Sequence, residues 1–95
     1  MAKKVNASHI LVKTEEQAKV ALYDVRNGKS FGDVAKQISM CPSGKRGGSL
    51  GWFGKGQMVK EFENACFSPT AKKGDIIGPI KTQFGFHLIK IDDLE

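Results

Sequence analysis

Two cysteines and three prolines are all that this 95-residue chain holds of either residue. Two thiols without a Cys-x-x-Cys pair are too few for a disulfide scaffold. No stretch approaches the ~20 apolar residues of a membrane span. No apolar run follows Met-Ala-Lys-Lys at the N-terminus, so no secretory signal is legible there. Internal repeats, low-complexity linkers and long runs of one charge are also missing. The simplest reading of these absences is a soluble cytoplasmic protein with reduced thiols.

What is present fits one globular domain spanning residues 1–95, with its core at about 5–91. Hydrophobic residues make up 40% and charged residues 26%, which is too apolar and too evenly mixed for disorder. Lys and Arg exceed Asp and Glu by 15 to 10, a net charge of +5. The cations are scattered, clustering only briefly at 3–4, 45–46 and 72–73. Nucleic-acid binders gather their charge on one face, so a solvated surface and no specific nucleic-acid partner are expected. Met1 and the C-terminus lead us to expect a complete chain, and nothing suggests more than a monomer.

The hydrophobic periodicity outlines seven elements. Residues 4–13 read as a central strand, with Val5, Ala7, His9 and Leu11 on one face and Ile10 and Val12 on the other. Residues 14–28 read as a helix. Thr14 and Gln17 form a capping box, Ala18, Ala21, Leu22 and Val25 an apolar stripe, and Gly28 the C-terminal stop. Ser30 caps a second helix over 30–39, with Phe31, Val34, Ala35 and Ile38 facing inward. A short strand is expected near 50–53. A third helix over 58–67 puts Met58, Phe62 and Cys66 on one face. Strands at 76–81 and 85–91 make a hairpin, with Pro79 marking an edge strand or a strand start. The order β-α-α-β-α-β-β is that of an α+β domain.

Residues 41–58 hold six of the eleven glycines, together with Lys45, Arg46, Lys55, Trp52 and Phe53. Neither a phosphate-binding P-loop nor a dinucleotide fingerprint fits them. Gly44-Lys45 is followed by Arg46, and Gly54-Lys55 by Gly56. His9, Cys41, Cys66 and His87 lie too far apart in the chain for a compact zinc site, so no metal is expected. Cys66 reads as a buried helix residue. Met58 and Phe62 are, on pattern alone, plain core. The two histidines each share a strand face with aliphatic residues. They are either separate core imidazoles or a pair that meets in a buried polar network, with Thr82 as a nearby hydroxyl.

Four blocks settle these alternatives toward one family: ASHILVK, CPSGKRGGSLGWF, GQMVKEFENACF and TQFGFHLIK. In order and spacing they resemble the parvulin-type peptidyl-prolyl cis/trans isomerases, in particular small stand-alone bacterial and archaeal parvulins with a rotamase domain of the PpiC kind. The resemblance implies a four-stranded antiparallel sheet surrounded by about three to four helices. It implies that the strands bearing His9 and His87 are neighbours. It further implies rotation about Xaa–Pro bonds without a cofactor, in the service of protein folding. The family's tandem histidines fall on His9 and His87, its polar residue beside them on Thr82, and its cysteine-or-aspartate position on Cys41. Its proline pocket falls on Leu50, Met58 and Phe62, with Phe84 adding a wall. His9, His87 and Thr82 are expected to orient Cys41 and the pocket walls. The glycines of 44–56 are expected to lay the loop along that pocket, leaving Lys45, Arg46 and Lys55 solvated on its rim. The link Val-Lys-Thr-Glu-Glu-Gln carries one cation and two anions, so no phosphate requirement is expected. The partners implied are proline-containing polypeptides. A non-catalytic, chaperone-like module using the same groove is the alternative.

Overall fold

The computed structural model describes residues 3–95. Its frame is a four-stranded antiparallel sheet in the order β2-β1-β4-β3. The strands are β1 (Val5–Val12), β2 (Ser49–Phe53), β3 (Ile76–Thr82) and β4 (Gly85–Leu94). The first and last strands therefore lie side by side at the centre. Apolar residues on both faces of β1 suit that position, because the sheet is covered on both faces there. β3 lies at an edge and holds Pro79 at a bulge between Ile77 and Ile80, where a missing N–H costs no ladder bond.

The sheet buries two cores, one on each face. Val5, Ala7, Ile89 and Ile91 join Phe53, Phe62, Cys66 and Phe67 on one side. Ile10, Val12 and Leu88 join Ala18, Ala21, Phe31, Val34 and Ala35 on the other. The alternation of β1 and β4 thus sends each side chain to the face that its position predicts.

Two helices cover the second core. α1 (Glu15–Arg26) begins at the expected capping box, with Thr14 Oγ1 accepting from the Gln17 N–H and Gln17 Oε1 accepting from the Thr14 N–H. Such a cap is worth ~1 kcal/mol. α2 (Phe31–Ile38) starts after Ser30, whose hydroxyl accepts from the Asp33 N–H. Phe31, Val34 and Ala35 are buried as expected, but Ile38 is 41% exposed. It sits in the last turn, where the helix has run past the core.

α3 (Lys60–Cys66) covers the first core and is shorter than its periodicity implies. Met58 precedes it rather than belonging to it. Val59 stands at the N-cap and has no side-chain oxygen to accept from the first turn, so the spacing of Met58 from Phe62 carries no cap signal to fix the start. A 3₁₀ turn at Pro42–Arg46 was not legible among the glycines. β4 runs to Leu94, three residues beyond the expected end. Asp92 and Asp93 break its apolar alternation, yet Asp93 and Leu94 pair with Asn6 and Val5, and Ser8 donates its hydroxyl to Asp92 Oδ2 at 2.6 Å.

Candidate functional site

His9 on β1 and His87 on β4 point to the same face, and their rings meet. The centroids are 5.2 Å apart with planes within 17° of parallel, and Nδ1 lies 3.0 Å from Nδ1. One ring's Nδ1–H donates to the other's Nδ1 lone pair. Each outer nitrogen then faces a hydroxyl, with His9 Nε2 3.1 Å from Ser43 Oγ and His87 Nε2 2.8 Å from Thr82 Oγ1. Thr82 Oγ1 also accepts from the Phe84 N–H at 3.2 Å. The result is a chain Ser43–His9–His87–Thr82 in which every ring nitrogen is engaged. With both imidazoles neutral, its donors and acceptors balance in either direction.

Burial enforces that neutrality. His9 and His87 are almost completely covered. Burial lowers the His9 pKa to about 4, with the neighbouring His87 adding to the effect. Burial also lowers the His87 pKa. A charged imidazole has lost its water here and gains no anion in return. Phe62 closes the lower side by standing edge-on to both rings, at 5.6 Å from His9 and 5.7 Å from His87.

Above this pair lies a cavity of about 440 Å³. His9, His87, Cys41, Leu50, Met58, Phe62 and Phe84 all line it. Seven of the eight residues singled out in the sequence thus meet around one hollow. The eighth, Thr82, stands behind His87 and does not line it. Cys41 is half-buried at the wall, and among the described residues the histidines make no direct hydrogen bond to it. They reach its loop through Ser43 instead. A larger hollow of about 620 Å³ between α3 and β3 holds neither histidine and none of the predicted residues.

The glycine-rich loop meets its role at one point above all. Gly48 has φ +84°, its carbonyl accepts from the His9 N–H at 2.9 Å, and a Cβ there would run into the His9 carbonyl. Only glycine lets the loop lie this close to the strand that carries His9. Lys45, Arg46 and Lys55 stay exposed as expected. Lys55 also places its Nζ 5.8 Å from the ring centre of Phe67, a cation–π contact.

Leu11, Met40, Pro42, Gln57 and Val59 also line the cavity and were not predicted. Leu11 was within reach, since it alternates with His9. Ser43 was not, because it lies 34 residues from its partner and no local pattern marks it. Ser39 positions the wall: its hydroxyl accepts from the N–H groups of Leu11 at 3.1 Å and Cys41 at 3.4 Å. The Met40 N–H donates to the Leu11 carbonyl at 2.8 Å, which ties Met40 to β1.

A family model described as the PPIC-type PPIase domain matches residues 1–95. The chain belongs to that family. This parvulin domain is 47% identical over 93 residues to the foldase protein PrsA of Geobacillus kaustophilus, a match covering 97% of the chain and 32% of the relative. The crystal structure of the peptidylprolyl isomerase PrsA from Bacillus cereus superposes with a TM-score of 0.92 at 42% identity, covering 99% of the domain and 36% of that chain. The solution structure of NmPin, the parvulin of Nitrosopumilus maritimus, gives a TM-score of 0.84 at 40% identity, covering 96% of the domain and 97% of that chain. The domain therefore spans about a third of the PrsA chains it matches and nearly all of the archaeal parvulin. The four-stranded antiparallel sheet with three α-helices is the parvulin fold.

Proposed function

We propose that the domain is a peptidyl-prolyl cis/trans isomerase that assists folding by holding the twisted Xaa–Pro amide in the cavity above His9 and His87. One observation carries this reading: a 440 Å³ apolar hollow whose polar floor is a neutral, fully bonded imidazole pair. Amide resonance sets the uncatalysed rotation barrier at ~18–20 kcal/mol. The planar amide is the more dipolar form, and the twisted amide has lost that charge separation. A site that holds the pyrrolidine ring and solvates the carbonyl poorly favours the twisted form, which is the condition for catalysis. A cation beneath the carbonyl oxygen would do the reverse, because it stabilises the charge-separated resonance form. Keeping His9 and His87 uncharged removes that brake.

Met58, Leu50 and Phe62 grip the ring by apolar contact. Phe84, 57% exposed at the tip of the β3–β4 hairpin, flanks it. Cys41 stands at the wall, where its sulfur closes the lining beside the amide, and no bond needs to form or break. His9, His87 and Thr82 hold the floor and act as positioning residues. The β1–α1 link contains one cation, Lys13, and is followed by Glu15 and Glu16, so the reading includes no phosphate requirement. Cytoplasmic localisation and a monomeric state belong to the same proposal. The first rests on the free thiols of Cys41 and Cys66, the second on a cavity completed by one chain. Cell fractionation and sedimentation equilibrium test them.

The direct test is magnetisation-exchange NMR on short unphosphorylated Xaa-Pro peptides. The domain is expected to accelerate exchange, and Met58→Ala to lower kcat/KM about thirtyfold, from the loss of roughly 2 kcal/mol of apolar contact. Peptide shifts without acceleration would leave only a peptide-holding module. Cys41 has its own prediction. Cys41→Ala is expected to lower kcat/KM by about fivefold, the loss of roughly 1 kcal/mol of wall contact, and Cys41→Asp to retain most of the activity. Equal and complete loss in both variants would point to a covalent thiolate and overturn the assigned role.

A further inference from the structure

The loop between β2 and α3, residues 54–59, delivers Gln57, Met58 and Val59 to the wall of the proline cavity. Its own backbone holds it poorly. Among the described residues, no backbone–backbone hydrogen bond joins residues 54–58 to the rest of the domain. Gly54 and Gly56 widen the conformations open to it. Gly56, at φ +90°, lies in open space, with nothing within 4 Å of where a Cβ would stand. Two side-chain oxygens supply what the backbone does not. Gln57 Oε1 accepts from the Gly54 N–H at 2.7 Å, which closes the turn on itself. Glu63 Oε1 accepts from the Gly56 N–H, which ties the turn to α3. Lys55 over Phe67 adds a solvent-facing contact, weak at an exposed site. Among the described residues, Glu63 therefore makes the one hydrogen bond between residues 54–58 and the body of the domain.

We infer that Glu63 is a positioning residue for the proline cavity: by accepting from the Gly56 N–H, its carboxylate fixes the turn that carries Met58 to the cavity wall. The inference rests on the isomerase reading for the nature of the chain that enters. Glu63 itself does not line the cavity. Phe62, its neighbour on α3, closes the cavity from the helix, and Met58 closes it from the loop. One helix thus places both walls, Phe62 directly and Met58 through the carboxylate. Releasing the bond frees a glycine-bearing loop. Binding must then restore its order, at a cost in conformational entropy. That cost falls on the capture of the proline ring, whether the amide is planar or twisted. It therefore raises KM and leaves kcat nearly unchanged.

Glu63→Ala is expected to raise KM for a short Xaa-Pro peptide about fivefold with kcat nearly unchanged, the scale of one hydrogen bond. Glu63→Gln keeps a side-chain oxygen at the same reach and is expected to stay within about twofold of the wild type. Both residues suit a helix, and a thermal melt checks that the variants fold. The decisive measurement is a double-mutant cycle with Met58→Ala. A pin that acts through Met58 has nothing left to hold in that background. The double variant Met58→Ala, Glu63→Ala is therefore expected to match Met58→Ala alone, about thirtyfold below the wild type in kcat/KM. A further fivefold loss, about 150-fold in all, is what independent sites would give, and it overturns the inference. So does a Glu63→Gln variant no better than Glu63→Ala. In the peptide-free domain the Gly56 amide proton is expected to move upfield in Glu63→Ala as it loses its acceptor, and an unmoved resonance overturns the bond itself. A wild type that binds the peptide without accelerating its exchange sinks the isomerase reading alone. The same cycle read in peptide Kd then decides for or against Glu63.

Discussion

Replacing Phe62 by alanine is expected to cost about 4 kcal/mol of stability and to lower kcat/KM more than a hundredfold. Phe62 is 3% exposed and lies at the meeting point of core and site. Its ring stands edge-on to His9, His87 and Phe53. A buried Phe→Ala change costs ~3–5 kcal/mol through lost transfer energy and the cavity left behind. The cavity left here would join the hollow above it. Water would then reach the histidines, and the proline ring would lose one wall. Urea denaturation measures the first effect and exchange NMR below the unfolding midpoint the second. Phe62→Leu separates them. It keeps most of the volume, so it should cost under 2 kcal/mol, and it should retain much of the activity. If Phe62→Ala destabilised as stated while its folded fraction turned over normally, Phe62 would be a core residue only, and the proline seat would lie elsewhere.

The residues that proved legible in the sequence are those whose partners repeat along the chain. The alternation in Val5–Val12 placed His9 on the face of Val5 and Ala7, and that in the last strand placed His87 with Ile89 and Ile91. The pattern marked only the first strand as central; that the last lies beside it, so that the histidines meet, came from the family resemblance, and the sheet order bears it out. The capping box at Thr14 marked a helix start, and its absence at Val59 left the start of α3 two residues off. Met58 still lines the cavity, because the loop carries it there rather than the helix. Ile38 shows the opposite failure. Its spacing matched the buried stripe of α2, but the sheet ends before the helix does, and no pattern within the helix records where its neighbour stops. Ser43 and Met40 failed for a third reason. Their roles exist only once a glycine-rich loop has folded back on β1, and the bonds that hold it there, such as His9 N–H to Gly48 O, join positions distant in the chain. Local periodicity reports faces; it does not report which loop closes over them.

The histidine pair yields the second large effect, on acidification. The free imidazole titrates near pH 6.5 in the unfolded chain, and burial lowers the His9 pKa to about 4 in the folded domain. Above pH 6.5 neither state holds the extra proton, and the stability is fully present. As pH falls from 6.5 toward 4, the unfolded chain takes up a proton that folded His9 refuses, so stability is lost with falling pH. At ~1.36 kcal/mol per pKa unit, His9 alone accounts for roughly 3 kcal/mol across that window. His87, also lowered by burial, acts with the same sign. Urea midpoints between pH 7.5 and 4.5 measure the loss. The double variant His9→Asn, His87→Asn should be less stable at pH 7, but its midpoint should be flatter down to pH 5. Catalysis gives an independent readout. With the pair neutral, kcat/KM is expected to hold level from pH 8 to about 5 and to fall only below that, as a cation develops under the amide carbonyl and holds it planar. A second proton cannot enter without setting two Nδ1–H groups face to face across 3.0 Å, so the pair takes up one proton before it opens. Activity that titrated away with a midpoint near 6.5 would mean that the folded domain does not keep its imidazoles neutral. The charge-free floor would then not be what lets the amide twist.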